Sequence, residues 1–121
     1  METKKTLVTG VAGFIGFHIV LKLVKMGYDV IGIDNINDYY PMTLKFDRLK
    51  ELGIQSDFIR YNKKVKSTTY KNFEFLRLDI IDENHLLDLF RAEKFDYVIH
   101  LAAQAGVRYS LDNPNAYIDS N

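Results

Sequence analysis

The chain has 121 residues, 47% of them hydrophobic, with 16 basic side chains against 16 acidic ones and no cysteine. That length and apolar share suit one compact domain with a core of its own, and the charge balance leaves no electrostatic footprint for nucleic acid or an anionic membrane. The absence of cysteine excludes disulfides, thiolate metal sites and thiol nucleophiles together. No stretch reaches the roughly 18 consecutive apolar residues of a membrane span, and "METKKTLV" runs straight into a strand pattern without the apolar core of a signal peptide. A reducing, cytoplasmic location is the expectation.

In chain order, "KTLVTG" reads as a buried strand over residues 4 to 9, stopped by Gly10. Ile15, Ile19 and Leu23, with Val20 and Val24, then recur at helical spacing until Gly27, a residue suited to a helix C-terminus. "YDVIGID" is a second strand ending at Asp34, and residues 41 to 52 read as a short helix opened by proline and closed by Gly53. Residues 54 to 72 are polar and basic without a sustained period. They read as a surface excursion with at most a short helix, in which Lys63, Lys64 and Lys66 form a solvated cluster. "FEFLRLDI" alternates into a third strand. "DENHLLDLFRAEK" is an amphipathic helix on Leu86, Leu87, Leu89 and Phe90 with Asp82 as its cap, and "FDYVIHLAA" is a fourth strand. The order β-α-β-α-β-α-β predicts an α/β fold, a Rossmann-like parallel sheet with flanking helices and right-handed crossovers.

Gly10, Gly13 and Gly16 stand after the first strand and run into the first helix. Glycines so placed allow a tight turn, let a pyrophosphate approach the main chain, and let the helix pack on the sheet. A P-loop is excluded, because Phe17 and His18 follow Gly16 where lysine and a hydroxyl residue belong. Asp34 lies 24 positions past Gly10, where a carboxylate meets ribose hydroxyls and repels a 2′-phosphate; this favours NAD over NADP. The other reading, of glycines that serve chain geometry and a solvated strand-end Asp34, stays open here. Arg108 follows the fourth strand, where its guanidinium could pair with a diphosphate or a sugar carboxylate, or simply lie on the surface. His18 and His100 read as structural. No histidine pair has metal-ligand spacing, so no metal is expected. The tyrosines of "DYYP" and "TTY" read as surface packing.

The spacing Gly-x-x-Gly-x-x-Gly resembles that of the extended short-chain dehydrogenase/reductase superfamily. "VTGVAGFIGFHIV", "GIDNINDYY", "RLDI" and "HLAAQAGVRYSLDNPNAYIDSN" look like the nucleotide-sugar epimerases, most closely the UDP-glucuronate 4-epimerases. The likeness covers almost the whole chain and is loosest over residues 54 to 72. It implies that residues 10 to 16, including the Phe14 and Ile15 main-chain N–H groups, hold the pyrophosphate of NAD, and that Asp34 and Asn35 hold the adenosine ribose. Asp79 and Ile80 would read the adenine edge, although a turn or capping role for Asp79 fits too. Leu101, Ala102 and Ala103 would let the nicotinamide half cross the sheet edge, or merely pack the strand, and Asn121 matches a family cofactor contact.

The same resemblance implies that catalysis depends on a Tyr-x-x-x-Lys motif and an upstream hydroxyl residue, the tyrosinate taking the sugar hydroxyl proton. None of the eight tyrosines has lysine four residues on. The expectation is therefore the N-terminal part of an NAD-binding Rossmann domain, truncated after about four strands, without a substrate domain, catalytic residues or activity of its own. The complete enzyme would interconvert UDP-glucuronate and UDP-galacturonate through a 4-keto intermediate, with a UDP-sugar as its partner, and the open sheet edge predicts self-association. Two alternatives remain: a truncated UDP-hexose epimerase or dehydratase, against which "QAGVRYS" argues, and a non-catalytic dinucleotide-binding or interaction module.

Overall fold

The structure is a computed structural model, and it describes residues 4–36 and 42–102. Strand β1 (Lys5–Thr9) leads into helix α1 (Phe14–Lys25), strand β2 (Asp29–Asp34) and helix α2 (Met42–Glu51). After a single 3-10 turn come β3 (Lys64–Lys66), β4 (Phe73–Arg77), α3 (Glu83–Glu93) and β5 (Tyr97–His100). The sheet order is β3-β4-β2-β1-β5, with β1 parallel to both β2 and β5, and β2 parallel to β4.

Period-two alternation sorts the strand residues onto two faces. Val8, Val30, Phe73 and Phe75 pack with Val20 and Val24 of α1 and Leu49 of α2. Leu7, Ile31, Ile33 and Leu76 pack with Leu86 and Leu89 of α3 on the other face. Burying both faces is what allows near-continuous apolar runs such as "VIGI" in β2. The buried stripe of α1 runs through Gly16, Val20 and Val24, so Ile15, grouped by sequence with the apolar face, is 62% exposed. Leu87 of α3 is likewise half exposed, because the face of the helix turned to the sheet carries Leu86, Leu89 and Phe90.

Helix ends follow local chemistry. At the end of α1 the Tyr28 N–H donates to the Leu23 carbonyl and the Gly27 N–H to the Val24 carbonyl, around a left-handed Gly27 at φ +92°. Asp82 caps α3, its carboxylate accepting from the His85 N–H at 3.3 Å.

Residues 54 to 72 depart from the expected surface excursion. They contain β3, antiparallel to β4 with Val65 opposite Phe75, which makes a fifth strand in an otherwise parallel sheet. Only Val65 of β3 turns towards the core; Lys64 and Lys66 point outward, a pattern that discourages further pairing at a sheet edge. Among the described residues no helix is long and apolar enough to cross a membrane.

Candidate functional site

The C-terminal ends of the parallel strands bring the sequence-nominated residues together. Gly10 follows β1 with φ +76°, and a Cβ there would lie 2.8 Å from the Ala102 nitrogen, so the chain beyond β5 passes directly over it. Gly10 N–H donates to the Ile33 carbonyl at 2.8 Å, tying the loop to β2. A Cβ on Gly16 would stand 2.1 Å from the Gly10 carbonyl oxygen, closer than any real contact, so the first turn of α1 can seat against the loop only without a side chain. Gly13 is the N-cap of α1 and offers no side-chain acceptor. The N–H groups of Phe14, Ile15 and Gly16 therefore remain without a protein acceptor among the described residues, at the positive end of a 12-residue helix. The side chains of Phe14 and Ile15 are exposed. What these two residues present to an anion is main-chain N–H.

Asp34 departs from a solvated strand end: it is 5% exposed. Its Oδ1 accepts from the Ile36 N–H at 2.8 Å and from Lys45 Nζ at 3.0 Å, while Oδ2 accepts from the Ala12 N–H at 3.0 Å. One lone pair of Oδ2 stays open among the described residues. The Ala12 peptide is gripped from both sides, since Arg48 Nη1 donates to its carbonyl at 2.9 Å. Buried Ile36 adopts φ +52°, an uncommon conformation for a β-branched residue that the Asp34 contact helps to hold. Asn35, just past β2, reaches to Asp79, Nδ2 to Oδ2 at 3.4 Å, and Asp79 Oδ1 accepts from the Ile81 N–H. Ile80 is buried beneath this turn.

Tyr61 closes the far side. Its hydroxyl donates to Asp82 at 2.6 Å and accepts from the Asp79 N–H at 3.3 Å, while His85 Nδ1 lies 2.7 Å from the same Asp82 carboxylate. Burial and the Asp82 hydrogen bond raise the Tyr61 pKa, whereas hydrogen bonds from His85 and Tyr61 lower that of Asp82.

At the other end, the Thr9 hydroxyl accepts from the Leu101 and Ala102 N–H groups at 2.9 and 3.0 Å. With both lone pairs so used, its proton points to His100 Nδ1, 2.8 Å away, which assigns the Nε2–H tautomer to His100. Burial lowers the His100 pKa, in keeping with that neutral ring. Leu101 and Ala102 thus lie just past β5, fixed to β1 beside Gly10. Ala103, Arg108 and Asn121, as well as the "DYYP" tyrosines, lie outside the described residues.

Sequence reasoning missed Lys45, Arg48, Tyr61 and the Thr9 hydroxyl. The 45/48 spacing puts two cations on one helical face, but nothing in the sequence says that this face turns inward. Chemically, the assembly offers three free N–H donors for an anion, a carboxylate with one open acceptor for a hydroxyl, and a polar turn at Asp79. This donor set fits a dinucleotide lying across the strand ends. A shallow concavity lined by Lys5, Asp29, Lys71, Asn72, Glu74 and Glu93 lies at the opposite, N-terminal end of the strands.

Comparison with known proteins agrees with this geometry. The family model described as GDP-mannose 4,6 dehydratase matches residues 7–121. The chain is 46% identical over 117 residues to Protein CapI of Staphylococcus aureus, covering 97% of this chain and 30% of that protein. It is 47% identical over 115 residues to a UDP-glucuronate 4-epimerase of Thermodesulfobacterium geofontis, covering 95% and 31%. The chain therefore spans less than a third of the length of either relative. Among solved structures, a Thermotoga maritima UDP-glucose 4-epimerase with UDP-glucose shares 34% identity at a TM-score of 0.58, over 91% of this chain and 28% of that one. A Thermus thermophilus UDP-glucose 4-epimerase in complex with NAD shares 28% at 0.56, over 96% and 29%.

Proposed function

The chain belongs to the GDP-mannose 4,6 dehydratase family, and from that premise we propose that it is the NAD-binding part of a nucleotide-sugar 4-epimerase acting on UDP-glucuronate. The observation that carries the cofactor half is the set of free N–H groups on Phe14, Ile15 and Gly16 with Asp34 at the end of the neighbouring strand. Those amides receive the diphosphate, Asp34 and Asn35 take the adenosine ribose, and Asp79 with Ile80 faces the adenine edge. A carboxylate beside the ribose disfavours a 2′-phosphate, hence NAD. Leu101 and Ala102, with Ala103, flank the nicotinamide half, and Asn121 and Arg108 complete the cofactor and sugar contacts in this reading.

Bound NAD would supply a hydride acceptor that takes the hydride from C4 of the sugar and returns it to the opposite face. The groups that move the C4 hydroxyl proton are not in this sequence, which has no Tyr-x-x-x-Lys motif. A missing general base alone costs about two to four orders of magnitude, so the chain binds without turning over. Identity to the Thermodesulfobacterium protein favours UDP-glucuronate as the substrate class. Self-association through β5 belongs to the same reading: β5 pairs only with β1 among the described residues, and Tyr97 and Val98 are exposed along it. So does a cytoplasmic location, in keeping with the absence of cysteine.

The proposal is tested by exchanging this chain for the matching segment of the Thermodesulfobacterium enzyme and following UDP-glucuronate by chromatography. Formation of UDP-galacturonate is the expected result. A folded hybrid that carries no NAD, or that carries NAD and leaves UDP-glucuronate untouched, would contradict it.

A further inference from the structure

Beside Asp34 lies a buried cation, the ammonium of Lys45. The Lys45 side chain is 9% exposed, and of its three N–H bonds one goes to Asp34 Oδ1. The other two meet no acceptor among the described residues. Asp34 Oδ1 is filled by Lys45 and the Ile36 N–H, whereas Oδ2 holds the Ala12 N–H alone. The pair thus presents one open acceptor and two open donors side by side at the end of β2. A vicinal diol carries donors and acceptors together. The lysine and the acid complement it more fully than the acid can by itself.

We propose that Lys45 is a second ribose-reading residue, donating to a ribose hydroxyl oxygen while Asp34 accepts a hydroxyl proton, and that its charge is a latent 2′-phosphate site held neutral by Asp34. The inference rests on the cofactor reading above. Its consequence is specific to this pair. With Asp34 ionised, a 2′-phosphate meets a carboxylate whose partner cation is already engaged. With the carboxylate charge removed, the same phosphate meets a desolvated ammonium whose charge is no longer neutralised and whose other two N–H groups are open, and charge-assisted contacts to phosphate are strong. Arg48, one turn along α2, adds positive potential on the same side while donating to the Ala12 carbonyl.

Calorimetric titration of the 121-residue chain with NAD and with NADP tests this in wild type, Asp34→Asn, Lys45→Met and the double variant, each checked for fold by circular dichroism. Asparagine keeps the size of the acid and an acceptor for Lys45. Asp34→Asn should shift the NADP-to-NAD affinity ratio towards NADP by about thirtyfold or more, and the double variant should lose that gain. Lys45→Met alone should weaken NAD about tenfold, with Lys45→Arg restoring most of it. A lysine that only props up the fold would weaken both cofactors alike and leave the ratio where it was. An unchanged ratio in Asp34→Asn, or a gain that survives in the double variant, overturns the inference while NAD binding by wild type leaves the cofactor reading standing. Should Asp34→Asn fail to fold, equal NAD affinities of Lys45→Met and wild type overturn it instead. A folded wild type that binds neither cofactor overturns both.

Discussion

Gly16→Ala abolishes NAD binding in a chain that is otherwise assembled, with affinity falling at least about a hundredfold by calorimetry. The added methyl would sit 2.1 Å from the Gly10 carbonyl oxygen and 2.8 Å from its carbon, both backbone atoms that no rotamer change can move aside. Either α1 lifts away from β1 or the loop swings out, and both displace the Phe14, Ile15 and Gly16 N–H groups together. Overpacking of this kind costs about 1–3 kcal/mol or more, which appears as a lower thermal midpoint. Gly27→Ala supplies the contrast. A Cβ there meets nothing within 4 Å, so only the left-handed backbone is strained, at about 1–2 kcal/mol, and NAD binding persists. Equal loss of binding in both variants would mean that the close approach at Gly16 is not what shapes the site.

Asp34→Ala should lower the unfolding free energy in urea by about 3–5 kcal/mol, because it leaves the Lys45 ammonium buried without its counter-charge. The Ala12 and Ile36 N–H groups lose their acceptor at the same time, and Ile36 loses a contact that holds its left-handed backbone. Against a total stability of about 5–15 kcal/mol for a domain of this size, that is a large fraction. Adding Lys45→Met should return part of the loss, since an apolar side chain of similar length is at home in the cavity that an unpaired ammonium is not. A loss below about 1 kcal/mol for Asp34→Ala would place the pair in water rather than in the protein.

Much of this was legible in the sequence. The glycine spacing, the position of Asp34, the stop at Gly27 and the cap at Asp82 are local signals, each set by one or two residues whose backbone or side-chain chemistry admits few alternatives. The parallel pairing of β1, β2, β4 and β5 follows from alternation of strand and helix. What the sequence hid is tertiary. Strand β3 is three residues long with lysines on both sides of Val65, which leaves no period to detect. Ile15 and Leu87 belong to apolar stripes by spacing but face outward, because the docking angle of a helix is set by its neighbours. Lys45 and Arg48 carry no signal of their own in the sequence, and only the packing of α2 against the loop after β1 turns them inward.

We propose that the C-terminal ends of β1, β2 and β4 form the adenosine cradle of the cofactor. The most direct test is an NMR titration of the isotopically labelled chain with NAD, following backbone amides. The expected result is a saturable response that is largest at Phe14, Ile15 and Gly16 and extends to Asp34, Asn35, Asp79 and Ile80. Shifts centred instead on Lys5, Lys71 and Asn72 at the opposite end of the sheet, or no shifts in a folded sample, would contradict it.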